Sequence, residues 1–485
     1  MNWPRIWIGI WGIAAVVLLG VSMDGTDGQW FFPLDDTYIH FSVGEQLARG
    51  HYGVNENEAA SASSSMLYPW LMALGHWLGF PDFFALGINL FFMGWALVWV
   101  FQTWGKDVPF FCQPFAFLPL AALSIPFLGM EHGLHVWAVI GTLRGLTMVR
   151  PEASLLAATL SLPLIRFEGL AMAAAVILVW LWRGWFKAAT GYLVWLGTVA
   201  CAHALVMAHF GLPFWPASVR MKSAVGMQGA DRFDQIWNNL LAAVDHRQGL
   251  VLLGMLLILG VLWLRKRNGM VAVAWLTVAA HVFFQGRYGY FFRYEVYVVA
   301  AAWMALLSGI ATFWRPSVFV LSALVMGWPY VQAMRDTPGS CRRIYEQQYQ
   351  MHRWVTEFYP HPVAVNDLGW VSYRNDLPVL DLMGLGNEQV CALRAAGEFD
   401  TLKMESLADA YGVHMALIFT SWFDEMGLPS SWKKVASLRT LVFTGPGSEV
   451  DFYITPLADE HEVEKALDAF EASLPGPLMH RFTSR

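Results

Sequence analysis

Charge is scarce in this chain. Only 14% of its 485 residues are Asp, Glu, Lys or Arg, against about 25% in an average soluble domain. With 56% hydrophobic residues and a mean hydropathy of +0.43, a soluble globule is excluded and a polytopic membrane protein is expected. Basic tracts are missing as well, and the net charge of −6 argues against nucleic acid as a partner. No tandem repeat or low-complexity tract appears apart from "AASASSS" (59–65). The apolar run Ile6–Val21 follows a single Arg5 and lacks a convincing small-residue cleavage site, so it reads as a retained first helix. What the chain has in abundance is aromatic: 25 Trp and 33 Phe, matching the enrichment of such rings at membrane interfaces.

Apolar segments of about 20 residues fall at 6–22, 83–104, 110–128, 133–149, 151–166, 169–183, 188–209, 250–264, 270–285, 293–313 and 317–333, about 11 spans in all. Met66–Leu78 is too short to cross and is expected to be an interfacial or re-entrant helix. The Lys/Arg bias then places the N-terminus inside. Arg5, Lys106, Arg144, Arg150, Arg183, Lys187, Arg265, Lys266, Arg267 and Arg315 share the inner loops with only Asp107 and Glu152. The first outer stretch, 23–65, holds Asp24, Asp27, Asp35, Asp36, Glu45, Glu56 and Glu58 against Arg49.

An odd span count leaves the C-terminal part outside too. The expected division is a membrane domain, 1–333, with outer loops 23–82 and 210–249, followed by a soluble α/β domain, 334–485. In that domain "VAVNDLGWVSY" (363–373), "LPVLDLMGL" (377–385), "HMALIFTSWF" (414–423), "TLVFTG" (440–445) and "VDFYIT" (450–455) read as strands or strand–turn units. Residues 340–359 and 459–474 read as helices. Cys112 and Cys201 fall in spans, which leaves Cys341 and Cys391 as the pair available for a disulfide outside.

On this topology the unusual polar residues gather on one face. "FFPLDDTYIHF" (31–41), "GMEHG" (129–133), "IRFEG" (165–169), "PASVRMKS" (216–223) and "GRYGYFFRYE" (286–295) all lie at outer ends of spans. They bring Asp35, Asp36, Tyr38, Glu131, His132, Arg166, Glu168, Arg220, Lys222, Arg287 and Arg293 around one outward cavity. Ionisable groups at membrane depth are costly and usually functional. A carboxylate there can take a proton from an incoming hydroxyl while Arg, Lys or His neutralises a departing phosphate. The structural alternatives are plain: one Asp caps the helix starting at "TYIHF", the glutamates pair with nearby arginines, and Arg287 and Arg293 anchor spans at the head groups. His40, His132 and His135 match no strong metal-ligand spacing.

"LDDTYIHFSVGEQLARGHYGVN" (34–55) resembles the first extracytoplasmic loop of the GT-C glycosyltransferases, in particular the mycobacterial terminal β-(1→2)-arabinofuranosyltransferase and its bacterial relatives. The resemblance continues in order through "SSMLYPWLMAL" (64–74), "GMEHGLHVWAVIG" (129–141), "RFEGLAMA" (166–173), "RYEVYVVA" (293–300) and "NDLGWVSYRNDLPVLDLMGL" (366–385). Departures are Met66 where relatives often have Pro, Phe167 within the usual Arg-Pro-Glu-Gly, and Phe41-Ser42-Val43 for Arg-Tyr-Ala. The resemblance implies an inverting transfer of a sugar, a pentofuranose such as arabinofuranose, from a polyprenyl-phosphate donor. The acceptor would be a hydroxyl of a cell-envelope glycan, lipid or protein at the outer face of the bacterial cytoplasmic membrane. It also implies an acidic pair in the first loop as the base, here Asp35 with Asp36 as orienting or capping partner. A polyprenyl phosphate is already a good leaving group, so this chemistry obliges no cofactor, and a divalent cation is not indicated. A secondary transporter with acidic coupling sites is the competing class, but transporters carry internal repeats and midplane sites, and neither is visible here. A membrane-anchored sensor would explain the C-terminal domain and not the charged span ends.

Overall fold

The computed structural model describes residues 3–105, 108–148, 152–221, 232–310, 315–440, 447–479 and 482–484. Lys106, Asp107, Arg150 and Lys222 lie outside these residues, as does nearly all of the strand expected at 440–445. Helix α1 (Trp3–Asp24) leads into a long loop carrying α2 (Asp36–Ala48) and α3 (Tyr68–Trp77). With 10 residues, α3 reaches only about 15 Å, half of a bilayer core. After α4 (Pro81–Trp104) the segment expected as a span at 110–128 forms 3₁₀ turns, Phe110–Leu120 and Pro126–Leu128. Pro114 and Pro119 deny it the α-helical hydrogen bonds.

The bundle continues with α5 (His132–Gly145), α6 (Ala153–Ile165), α7 (Gly169–Trp182) and α8 (Phe186–His209). Then come α9 (Arg232–Asp245), α10 (Arg247–Lys266), α11 (Gly269–Ala280), α12 (Val296–Ile310) and α13 (Pro316–Glu346). Arg5–Asp24, Pro81–Trp104, Phe186–His209, Arg247–Lys266 and Pro316–Phe358 are long and apolar enough to cross a membrane. Shorter apolar helices fill in between them, Gly269–Gln285 among them. Helix α5 is the central one, with every residue from His132 to Arg144 buried. Helix α9, between α8 and α10, exposes Phe233, Trp237, Leu241 and Val244 along one stripe. Such an apolar stripe on an otherwise polar helix suits a membrane interface.

Helix α13 runs without a break through residue 334, so the expected domain boundary falls inside a helix. Composition changes there from apolar to polar, while the helix itself continues past Pro338 to Glu346. Beyond α14 (Gln348–Arg353) the C-terminal domain carries β1 (Val363–Val365), the one-turn α15 (Gly369–Ser372) and β2 (Val379–Asp381). Next are α16 (Glu388–Ala396), α17 (Thr401–Ala410), β3 (Met415–Ile418), β4 (Lys433–Arg439), β5 (Glu449–Ile454), α18 (Glu460–Ser473), α19 (Gly476–Met479) and β6 (Phe482–Ser484). The six strands form one mixed sheet in the order β2-β1-β3-β5-β4-β6. β1 is parallel to β2 and β3, and the remaining pairings are antiparallel. Asn387, Asp400 and Asp459 cap α16, α17 and α18 through their side-chain oxygens.

All four cysteines are free. The expected Cys341–Cys391 bridge is not formed, because α13 seats Cys341 in an aromatic cluster with Phe31, Tyr38 and Trp370. Cys391 packs on α16 against the turn at Gly384. Cys341 thus belongs to the long helix Pro316–Glu346 and Cys391 to the helix that follows β2.

Candidate active site

The adjacent acids Asp35 and Asp36 have separate roles from the first turn of α2 onward. Asp35 makes no cap bond to its own helix. Its carboxylate instead accepts the backbone N–H of Gly369 at 2.6 Å and of Trp370 at 2.9 Å, tying the first loop to the C-terminal domain. A side chain is impossible at Gly369: a Cβ there would lie 2.1 Å from the Asp35 carbonyl oxygen. Asp36, with a side chain 42% exposed, pairs with Arg293. Tyr38 points the other way, since two residues of helix turn it by about 200°. It is buried against Trp370 with ring centroids 4.5 Å apart, and its hydroxyl accepts the Phe32 N–H at 2.8 Å. Tyr38 therefore holds the loop and leaves the site, contrary to the expectation.

Below Asp36 lies a buried ionic network. Arg166 is paired with both Glu131 and Glu168 and donates to His132 Nε2 at 3.0 Å. Glu131, wholly buried, also accepts from Ser64 Oγ at 3.2 Å, and His40 Nε2 lies 3.4 Å from its second oxygen. Burial pushes the His40 pKa down. Arg166 is thus committed to two carboxylates. Arg220 is committed as well: it pairs with Glu388 and fastens the segment after α8 to the C-terminal domain. Neither is the open phosphate anchor that the sequence suggested.

Three cavities meet around this network. The smallest, about 140 Å³, is lined by Asp36, His40, Ser64, His132, Arg166 and Arg293 among others. Ser64, Ser218 and Tyr294 join it to a second, of about 450 Å³, which holds Glu168, Arg287, His281 and the amides Gln235, Asn238 and Asn239. Asp36 and Arg293 join it to a third, of about 620 Å³, between the bundle and the C-terminal domain. The Asp36–Arg293 pair is therefore the divide of one continuous cleft. Arg293 arrives there by an unusual backbone: Tyr290, Phe291 and Phe292 have φ of +48°, +62° and +56° after Gly289 at +95°. Each such residue costs about 1–2 kcal/mol, and strain of this kind collects at functional sites. The turn packs Phe292 on Tyr330 and leaves Tyr290 exposed.

Asp35 borders the largest cavity together with Asp367. Burial and the neighbouring Asp367 carboxylate push the Asp35 pKa well up, and burial raises Asp367 too. Between the unfolded value of about 3.9 and these raised values the native state binds more protons, so stability falls as pH rises through that window. Acidifying from about pH 7 to about pH 5 should then raise the melting temperature of the wild type relative to Asp367→Asn. Thermal unfolding of both proteins across that range measures the difference, and identical slopes would dissociate the carboxyl pair from the pH response.

Of the expected residues, Asp36, His132, Arg166 and Arg293 meet in the small cavity, and Glu168 and Arg287 line the next one. Glu131 stands behind Arg166. Sequence reasoning missed Ser64, Ser218 and Tyr294 as linking residues, and Asp336, Arg343, Gln348 and Trp422 in the third cavity. Ser64, Ser218 and Tyr294 lie inside the quoted stretches "SSMLYPWLMAL", "PASVRMKS" and "GRYGYFFRYE", as Asp367 lies inside "NDLGW", whereas Asp336 lies in none. Among the described residues no three His, Cys, Asp or Glu side chains are placed to hold a metal ion.

A family described as a domain of unknown function, DUF8728, matches residues 341–454. No curated protein matches the chain significantly. The structure is similar to the crystal structure of ArnT from Cupriavidus metallidurans in the apo state, with a TM-score of 0.52 and 14% identity over 94% of this chain and 99% of that one. It is likewise similar to ArnT from the same organism bound to undecaprenyl phosphate, with a TM-score of 0.50 and 14% identity over 93% and 99%. The chain thus shares the fold of those structures, a polytopic α-helical membrane bundle with a C-terminal α/β domain.

Proposed function

We propose that the protein is a membrane glycosyltransferase that moves a sugar from a polyprenyl-phosphate donor to an acceptor hydroxyl. The observation that carries this reading is the Asp36–Arg293 pair at the divide between two cavities. The similar ArnT structure bound to undecaprenyl phosphate supports a lipid phosphate as ligand. The acceptor oxygen attacks the anomeric carbon from the side opposite the phosphate, the carbon–oxygen bond to phosphate breaks, and its electron pair stays on the phosphate. The hydroxyl proton passes to Asp36, not to Asp35, whose two oxygens are already engaged by backbone N–H groups. Arg293 holds Asp36 in place and offers positive charge as the phosphate leaves.

The donor fits the cavity that contains Arg287. This arginine makes no ion pair among the described residues, and the neighbouring α9 presents its apolar stripe outward for a lipid interface. A pentofuranose is the sugar implied by the sequence resemblance, and the charge bias supports a cleft on the outer side of the cytoplasmic membrane. Charge-assisted hydrogen bonds are worth about 1.5–3 kcal/mol, so Arg287→Ala should weaken undecaprenyl-phosphate binding by about 10-fold or more. Binding to the purified full chain in lipid nanodiscs, followed by incubation with radiolabelled polyprenyl-phosphate sugars, tests the reading. Unchanged lipid affinity in Arg287→Ala would remove the donor placement. Vesicle uptake of solute without any sugar transfer would replace the enzyme by a transporter.

A further inference from the structure

The largest of the three cavities, about 620 Å³, has a chemistry of its own. One wall is the strained turn with Asp336 of α13, and the other is Gln348, Asp367 and Trp422 from the C-terminal side. The carboxylates Asp35, Asp36, Asp336 and Asp367 face it against Arg293 and Arg343, and Arg293 is already paired with Asp36. Four acids against two arginines leave the wall without the net positive charge that would hold a phosphate or other anion. The buried polar atoms on its wall without a hydrogen-bond partner among the described residues include, besides Arg293 Nε, the Tyr288 hydroxyl and Gln348 Oε1, in residues 7% and 2% exposed. Buried polar groups are normally paired, and the last two ask for a ligand that accepts and donates. Two aromatic rings are also open to it: Trp422 is 41% exposed and Tyr290 61%.

Aromatic faces beside carboxylates and unpaired hydrogen-bonding groups suit a ligand with C–H faces and a rim of hydroxyls. We propose that this cavity is the acceptor subsite and takes a neutral carbohydrate, its ring against Trp422 or Tyr290 and one hydroxyl directed to Asp36. The inference rests on the glycosyl-transfer reading, and it gives the C-terminal domain the task of selecting the acceptor through Trp422. It also puts donor and acceptor on opposite sides of Asp36, as the displacement requires.

The test uses the full chain in nanodiscs and saturation-transfer NMR with neutral methyl glycosides and the matching methyl glycosiduronates. Neutral glycosides are expected to bind, and the uronates about 10-fold more weakly or worse, given the surrounding carboxylates. Trp422→Ala is expected to lose about 10-fold or more in glycoside affinity with undecaprenyl-phosphate binding unchanged. Trp422 sits on a surface 3₁₀ turn, Thr420–Phe423, against Phe419. Tyr290→Ala provides a second variant, and thermal unfolding of both provides the check on folding. Absence of neutral-glycoside binding, uronates binding as well as neutral sugars, or wild-type glycoside affinity in both variants would each overturn the proposal. Glycoside binding without any binding of undecaprenyl phosphate by the wild type would remove the donor reading and leave the subsite standing. Comparing methyl with long-chain alkyl glycosides distinguishes a free glycan from a lipid-borne one. Equal affinities indicate the sugar alone, tighter alkyl binding a lipid-anchored acceptor, and both keep the subsite.

Discussion

Asp36→Asn is expected to lower sugar transfer by about 10²–10⁴-fold while the protein stays folded. The side chain lies at a cavity wall and is 42% exposed, so the isosteric amide fits, and Arg293 keeps an oxygen to bond. What is lost is the group that takes the acceptor's proton. Asp35→Asn should behave in the opposite way. Its amide nitrogen cannot accept a second backbone N–H, so either Gly369 or Trp370 loses its partner. The cost is about 1–3 kcal/mol of stability, with turnover of the surviving protein near wild type. Turnover with a radiolabelled polyprenyl-phosphate sugar, set beside melting temperatures, separates the two. Near-normal transfer by Asp36→Asn would leave the mechanism without its base.

The largest effect on stability is expected from Arg166→Ala. It strands Glu131, fully buried, and leaves Glu168 without its cation. Breaking a buried pair from one side costs about 3–5 kcal/mol, a large part of a typical 5–15 kcal/mol total. Little monodisperse protein should be recovered by size-exclusion chromatography. Adding Glu131→Gln, which removes the stranded charge, should restore part of the yield. A well-folded Arg166→Ala protein with only weakened donor binding would return Arg166 to the phosphate-binding role read from the sequence.

The apolar spans were legible because hydropathy over about 20 residues is a local property, and the breaks at Pro114 and Pro119 could have been read as well. The acids at 35 and 36 were legible as a pair, but their division of labour was not. It depends on Gly369 and Trp370, more than 300 positions away along the chain. Arg220 failed as a substrate residue for the same reason, since its partner Glu388 lies in another domain. Helices α16 and α17 were missed although Asn387, Asp400 and the left-handed Gly397 mark their ends in the sequence. Trp422 bore no local mark at all, because its role comes from the docking of the C-terminal domain across the cleft.

That docking is governed by the one continuous helix Pro316–Glu346. A helix sets azimuth together with height: one residue inserted between 334 and 346 would turn everything beyond it by about 100° and lift it about 1.5 Å. The Gly369 and Trp370 N–H groups would swing away from Asp35, and Trp422 would leave the cleft. Inserting seven residues, about two turns, would restore the bearing but raise the domain by about 10 Å. Helical phase and distance are therefore satisfied together only at the native residue count, which makes this helix a gauge where a linker of tolerant length would otherwise be expected.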